Sequence, residues 1–407
     1  MKNSRDRRPY IKPVTKLELS EKDVRKRTIL AIVFLAIAVI AIGYGLFSAL
    51  NTQPGWVEVT GSSREPNVSS DVKLMYDFSK SGGSATAENK KLSLIYTQAC
   101  RDAHVVFSPD EPTGGIAALT AAPGEAVRVD PALWEAFKLL EEHGDRTVYL
   151  APVYTEHDRI FRSEGDGEAM VYDPAHSEEA AQLIREMAAY CADPEHIRVE
   201  VLEDNCLRLI LSDGYRAYVG EYGIETLLDF GWMRGAFVVD LIGDRLVENG
   251  FTRGYIISFD GFARYLGAGE EPFSVNVYDK RGNDLYRPAQ VAFDGPMAWV
   301  RLRTYPAEVR DLEHSYVYAD GTAVSAHIDP ADGMNRTAAE DLLVLGHRSC
   351  AELALEAAPR FIGEELDPEE LCASLEKGIA FVWCEDSRVL ITDPELALTV
   401  TDESYTK

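Results

Sequence analysis

Asp229-Phe-Gly-Trp-Met-Arg-Gly-Ala-Phe-Val-Val-Asp240 closes an apolar segment and opens a helical one, with a carboxylate at each end. Asp229 stands just before Gly231 and the expected helix start. A carboxylate there can accept hydrogen bonds from a ligand base or ribose, while the helix N-terminus offers N–H groups to phosphate. An ordinary strand-to-helix turn with Asp as its cap gives the same pattern. The helical stretch opened by Gly231 is expected to end at Gly250.

Two further segments carry chemistry. His327-Ile-Asp-Pro-Ala-Asp-Gly333 sets a histidine and two carboxylates in seven residues. Imidazole beside carboxylate can bind metal or move protons, and a hydrogen-bonded turn histidine is the structural alternative. Glu352 and Glu356 lie four apart on a helix expected to start at Ser349, so they share a face. Such a pair is either a solvated acidic face or neutralised by a cation such as Mg²⁺.

Between these segments helices and strands interleave. Asp130-Pro131 predicts a capped helix closed by Gly144, and Ser177 caps another running to about Tyr190. His196–Leu202 and Cys206–Ser212 alternate around Glu203-Asp204-Asn205, a hairpin pattern. Val72–Phe78, Tyr255–Phe259, Phe273–Tyr278 and Leu342–Leu345 are expected strands, and Lys91–His104 is periodic. Ser79–Asn89 is expected to be a flexible loop. The class is α/β in the mixed, α+β sense, without the regular alternation of a doubly wound sheet.

The chain has 407 residues and a net charge of −26. Ile29–Leu50 is an uncharged apolar run long enough for a bilayer core of about 30 Å. Before Thr28 stand ten Lys/Arg and four Asp/Glu, a net +6 that leaves −32 on the remainder. This asymmetry predicts a single-pass anchor with a cytoplasmic basic tail (1–28), a membrane helix (29–50), a linker (51–70) and an extracytoplasmic domain (71–407). A cleaved signal peptide is the competing reading. The acidic domain lacks the basic footprint of nucleic-acid binding. Six scattered cysteines show no C-x-x-C spacing, and their pairing stays open.

In their order, the segments resemble the FAD:protein FMN transferase family, the ApbE-type flavin transferases. Members show D-L-G-G-I-A-K-G-Y-A-V-D, a strand with G-G, H-I-I-D-P-x-T-G, and A-D-A-L-x-T-A. Asp229-Phe-Gly231 and Phe237-Val-Val-Asp240 match the ends of the first motif, Ser258-Phe-Asp260-Gly261 the second, and His327-Ile-Asp-Pro330 with Gly333 the third. Ala351-Glu352-Leu-Ala-Leu-Glu356-Ala357 has the frame of the fourth, and the likeness spans about 70 to 390.

The resemblance implies the ApbE-type fold, FAD as substrate, Mg²⁺, and transfer of FMN to a threonine of an exported electron-transfer flavoprotein, with AMP leaving. It implies that Asp229, Gly231, Trp232, Gly235, Asp260, Gly261 and Asp329 line the flavin nucleotide. By the same resemblance His327 and Arg234 act in catalysis, while Ala351, Glu352 and Glu356 take the metal position.

The chain departs from the pattern at several of these positions. Gly235 falls where lysine is usual, and a one-residue slip would put Arg234 there instead. Trp232 stands at a glycine position, Glu352 replaces Asp and Glu356 replaces Thr. The alternative is a non-catalytic member that binds flavin or contacts a flavoprotein. A third reading, prompted by Ser84-Ala-Thr86, makes the chain itself a flavin acceptor.

Overall fold

The structure, a computed structural model, describes residues 28–30, 32–39, 55–61, 64–267 and 272–407. The chain divides into two units, Met1–Thr52 and Gln53–Lys407. In the first, residues 28–30 and 32–39 are helical. No helix among the described residues is long and apolar enough to cross a membrane. The rest of the expected span, the basic tail before Thr28 and the start of the linker lie outside the described residues.

The second unit is built on an eight-stranded sheet. Its order is Trp56–Val59, Val72–Asp77, Gly254–Ser258, Phe262–Tyr265, Met297–Arg303, Asp341–Gly346, Ile379–Glu385 and Arg388–Ile391. Every neighbouring pair is antiparallel. Alternate residues point to opposite faces, and here both faces are covered. Phe262, Val300, Val344 and Phe381 pack into the helical layer. Their neighbours Ala263, Trp299, Leu345 and Val382 pack on a three-stranded sheet of Phe273–Arg281, Asp284–Phe293 and Ala397–Val400. This explains why Asp341–Gly346 is continuously apolar after its first residue and wholly buried.

The helix Arg234–Glu248 lies against the sheet, between Ala85–Phe107 and Cys350–Phe361. It is buried from Gly235 through Gly243. Three valines and two glycines make it a poor helix former in isolation, so burial rather than propensity holds it. Cys350–Phe361 starts at a capping box in which the Ser349 and Glu352 side chains accept from each other's backbone N–H.

Most expected elements appear. Pro131–His143 is capped by Asp130 and closed by left-handed Gly144. Glu178–Ala192 follows Ser177, and Ile197–Leu202 pairs with Cys206–Leu211 across a turn with Asp204 and Asn205 at positive φ. The expected loop Ser79–Asn89 is corrected. The helix already begins at Ala85, because the Ser84 side chain accepts from Ala87 N–H and starts it there. All six cysteines are free thiols.

Candidate functional site

A cleft of about 620 Å³ opens beside the first turn of the Arg234–Glu248 helix. One wall is the helix Ala151–Phe161, which contributes Tyr154, Asp158 and Arg159. The opposite side is formed by Arg303, the turn Val309–Glu313 and His327. The short 3₁₀ turn Gly231–Met233 forms the deep end with Asp229, Arg234 and Asp260. The three separate motif segments holding Asp229, Asp260 and His327 therefore meet in one cavity.

Backbone geometry fixes the deep end. Gly231 has φ +53°, and a Cβ there would lie 2.5 Å from the Tyr154 ring, so only glycine lets the phenol pack against the turn. Gly231 N–H donates to Asp229 Oδ1 at 2.9 Å. Burial pushes the Asp229 carboxyl above its usual range, against this hydrogen bond and the Arg234 charge. Burial likewise raises Asp260, opposed by His314, Arg234 and the Ser258 hydroxyl. Arg234 is thus the cation common to both carboxyls, and it makes no ion pair or hydrogen bond among the described residues.

Gly235 is closely crowded. A Cβ at this position would come within 2.8 Å of Phe262 Cδ2 and Ser258 Oγ and 2.9 Å of Asp260 Oδ2. No side chain fits, so the cationic side chain that reaches the cleft is Arg234, and Gly235 does not line it.

Trp232 is 9% exposed and fills the floor of the cleft. Its ring lies 5.0 Å from His327, whose other side meets Phe361 at 5.0 Å. His327 is hydrogen-bonded to Ser325 Oγ at 3.2 Å, and its carbonyl accepts from Asn335 at 2.6 Å. Burial, helped by the Arg303 charge, drives the imidazole down to about 3, so it is neutral at physiological pH. Two donors here lack acceptors among the described residues: Trp232 Nε1 and Tyr154 Oη. Buried donors of this kind ordinarily have a partner, and both belong to residues lining the cleft.

Other expected site residues lie elsewhere. Gly261 has φ +100° and abuts the Arg301 carbonyl, a packing role outside the cleft lining. Asp329 accepts from Ala331 N–H at 2.8 Å within its own turn and pairs with Arg336 at 3.1 Å. Thr86 lies in the first turn of Ala85–Phe107.

The carboxylates expected to hold Mg²⁺ do not fit it. Glu352 is taken up by the capping box and by Arg348 at 3.3 Å. Glu356 pairs with Lys377 at 2.7 Å, with Arg360 at 3.4 Å and with His143 at 4.0 Å. Burial alone would raise the Glu356 carboxyl, yet these cations hold it below its usual range. Neither glutamate lines the cleft. Ala351 is buried and gives its N–H to Asp240. The helix face leading to Phe361 carries Ala358 and Ala354 one and two turns back, and neither side chain can ligate a metal. Among the described residues no group of three or more His, Cys, Asp or Glu is placed to hold an ion.

Spacing alone missed Tyr154, Arg303 and the role of Asp240. Asp240 is buried and accepts from Cys350 N–H at 2.9 Å and Ala351 N–H at 2.8 Å, with Arg264 at 3.7 Å. It ties the first motif to the start of the Cys350–Phe361 helix.

This mixed α/β architecture is that of the ApbE flavin transferases. The ApbE protein of Thermotoga maritima superposes with a TM-score of 0.55 at 12% identity, over 85% of this chain and 97% of that one. The flavin transferase ApbE of Vibrio cholerae gives 0.55 at 13%, over 87% and 99%. The flavinyl transferase ApbE of Pseudomonas stutzeri, in its apo form, gives 0.50 at 15%, over 87% and 97%. The chain matches no family model and no curated protein. At these identities the likeness is one of fold.

Proposed function

We propose that the cleft binds FAD and that the protein is a membrane-anchored FAD:protein FMN transferase acting on a threonine of an exported electron-transfer flavoprotein. The observation that carries this reading is the set of uncommitted groups at one deep end. The guanidinium of Arg234 stands beside Asp229, and the donors Tyr154 Oη and Trp232 Nε1 have no acceptors. A flavin dinucleotide supplies complementary chemistry: anionic phosphates for Arg234, and N–H groups for Asp229.

In the transfer, the threonine oxygen forms a bond to the FMN phosphorus, the bond from that phosphorus to the bridging oxygen breaks, and AMP departs. Arg234 stabilises the charge on the phosphoryl oxygens. The hydroxyl proton leaves through His327 as the new bond forms and ends on the phosphate oxygen of the departing AMP, since an imidazole of low basicity does not retain it.

The test is to incubate the full chain, solubilised in detergent, with FAD and a threonine-bearing exported flavoprotein. The expected result is release of AMP together with covalent FMN on the acceptor. Bound FAD without AMP release would assign a non-catalytic flavin-binding protein instead. Absence of FAD binding would refute the flavin reading altogether.

A further inference from the structure

Resting on the reading that this cleft takes FAD, we propose that it does so without a divalent cation, the guanidinium of Arg234 serving as counter-charge to the diphosphate. Three observations lead there. Glu352 and Glu356 are each neutralised by the chain's own cations and lie outside the cleft lining. Asp229 and Asp260 both face the Arg234 charge, and among the described residues the cleft's other acids, Asp110, Asp158 and Asp311, complete no group with them that is placed to hold an ion. An ion placed beside either would sit against a fixed positive charge, and the like-charge repulsion disfavours it.

The third observation concerns what the ligand would meet instead. Arg234 is uncommitted among the described residues, and a planar guanidinium can hold two phosphoryl oxygens at once. Trp232 Nε1 and Tyr154 Oη are neutral donors that can each donate to a phosphoryl oxygen. A fixed cation and two neutral donors replace the field of a bound metal without any carboxylate ligand. Crowding of Gly235 by Phe262 and Asp260 leaves Arg234 as the residue of this turn that can do so.

The test is the affinity of the full chain for FAD, by flavin fluorescence, in EDTA and in millimolar Mg²⁺. Arg234→Gln, Arg234→Lys and Glu356→Gln are compared, each checked for an unchanged thermal midpoint. The proposal expects equal wild-type affinity in both buffers and an unchanged Glu356→Gln. Arg234→Gln should weaken FAD by about tenfold or more, with partial recovery in Arg234→Lys. Riboflavin, which has no phosphate, should be indifferent to residue 234. FAD binding that vanishes in EDTA and returns with Mg²⁺, or an Arg234→Gln variant of undiminished affinity, overturns this proposal while leaving the flavin reading intact. No FAD binding in either buffer overturns both.

Discussion

Asp240 and His327 are both buried titratable groups, and each is held by a different force. Asp240 is clamped by two backbone N–H groups and faced by Arg264. Asp240→Ala would leave two helix-start donors and a guanidinium without their acceptor. The expected loss is about 2–4 kcal/mol of stability, read by denaturant unfolding; a loss within experimental error would show that the clamp carries no energy. His327 is held neutral by burial, its folded value depressed to about 3 from an ordinary 6.5. The unfolded chain therefore takes up this proton more readily. The stability that His327 contributes is complete above about pH 6.5 and drains away as pH falls towards 3. His327→Gln should flatten this part of the acid limb in a series of thermal midpoints. A variant as acid-sensitive as the wild type would place the titration elsewhere.

The elements were legible to different depths. Pro131–His143 announces both ends and Cys350–Phe361 its start, because Asp130, Gly144 and Ser349 do local work that needs no tertiary partner. The hairpin Ile197–Leu202/Cys206–Leu211 was equally plain from its alternation and turn. The site was legible only in part. The structure brings Asp229, Gly231, Trp232, Arg234, Asp260 and His327, which the order of motifs links, to one cavity. Spacing four apart correctly put Glu352 and Glu356 on one face, but not which way that face turns. Their apolar neighbours occupy the buried side; Glu352 is claimed by Arg348 four residues before it, and Glu356 by cations from distant segments, Lys377 and His143. Tyr154 escaped notice because its claim on the site depends on Gly231 yielding it space, a contact across 77 residues. For the same reason Gly235→Lys, which introduces the lysine of the ApbE-type motif that the sequence resembles, is expected to fail. It should destabilise the fold by about 1–3 kcal/mol in thermal or chemical unfolding through overpacking against Phe262. A neutral or stabilising effect would show that the helix can turn aside.

Over the whole molecule, the two faces of the eight-stranded sheet serve separate layers: helices and the cleft on one, a three-stranded sheet on the other. The first unit is proposed as the membrane anchor. The full chain should accordingly sediment with membranes, and a chain beginning at Gln53 should stay in the supernatant with an unchanged circular dichroism spectrum. A soluble full-length chain would remove the anchor. The layered core also tolerates wide replacement, since interchange among large apolar residues keeps volume and pattern, and superposition with the Thermotoga protein persists at 12% identity. The cleft is less forgiving, and the crowding over Gly235 has a historical consequence. Phe262 and Asp260 occupy the space any side chain there would need. Mutational routes from this sequence to one with lysine at 235 must clear that space first, so the order of changes is constrained and glycine at 235 is hard to leave.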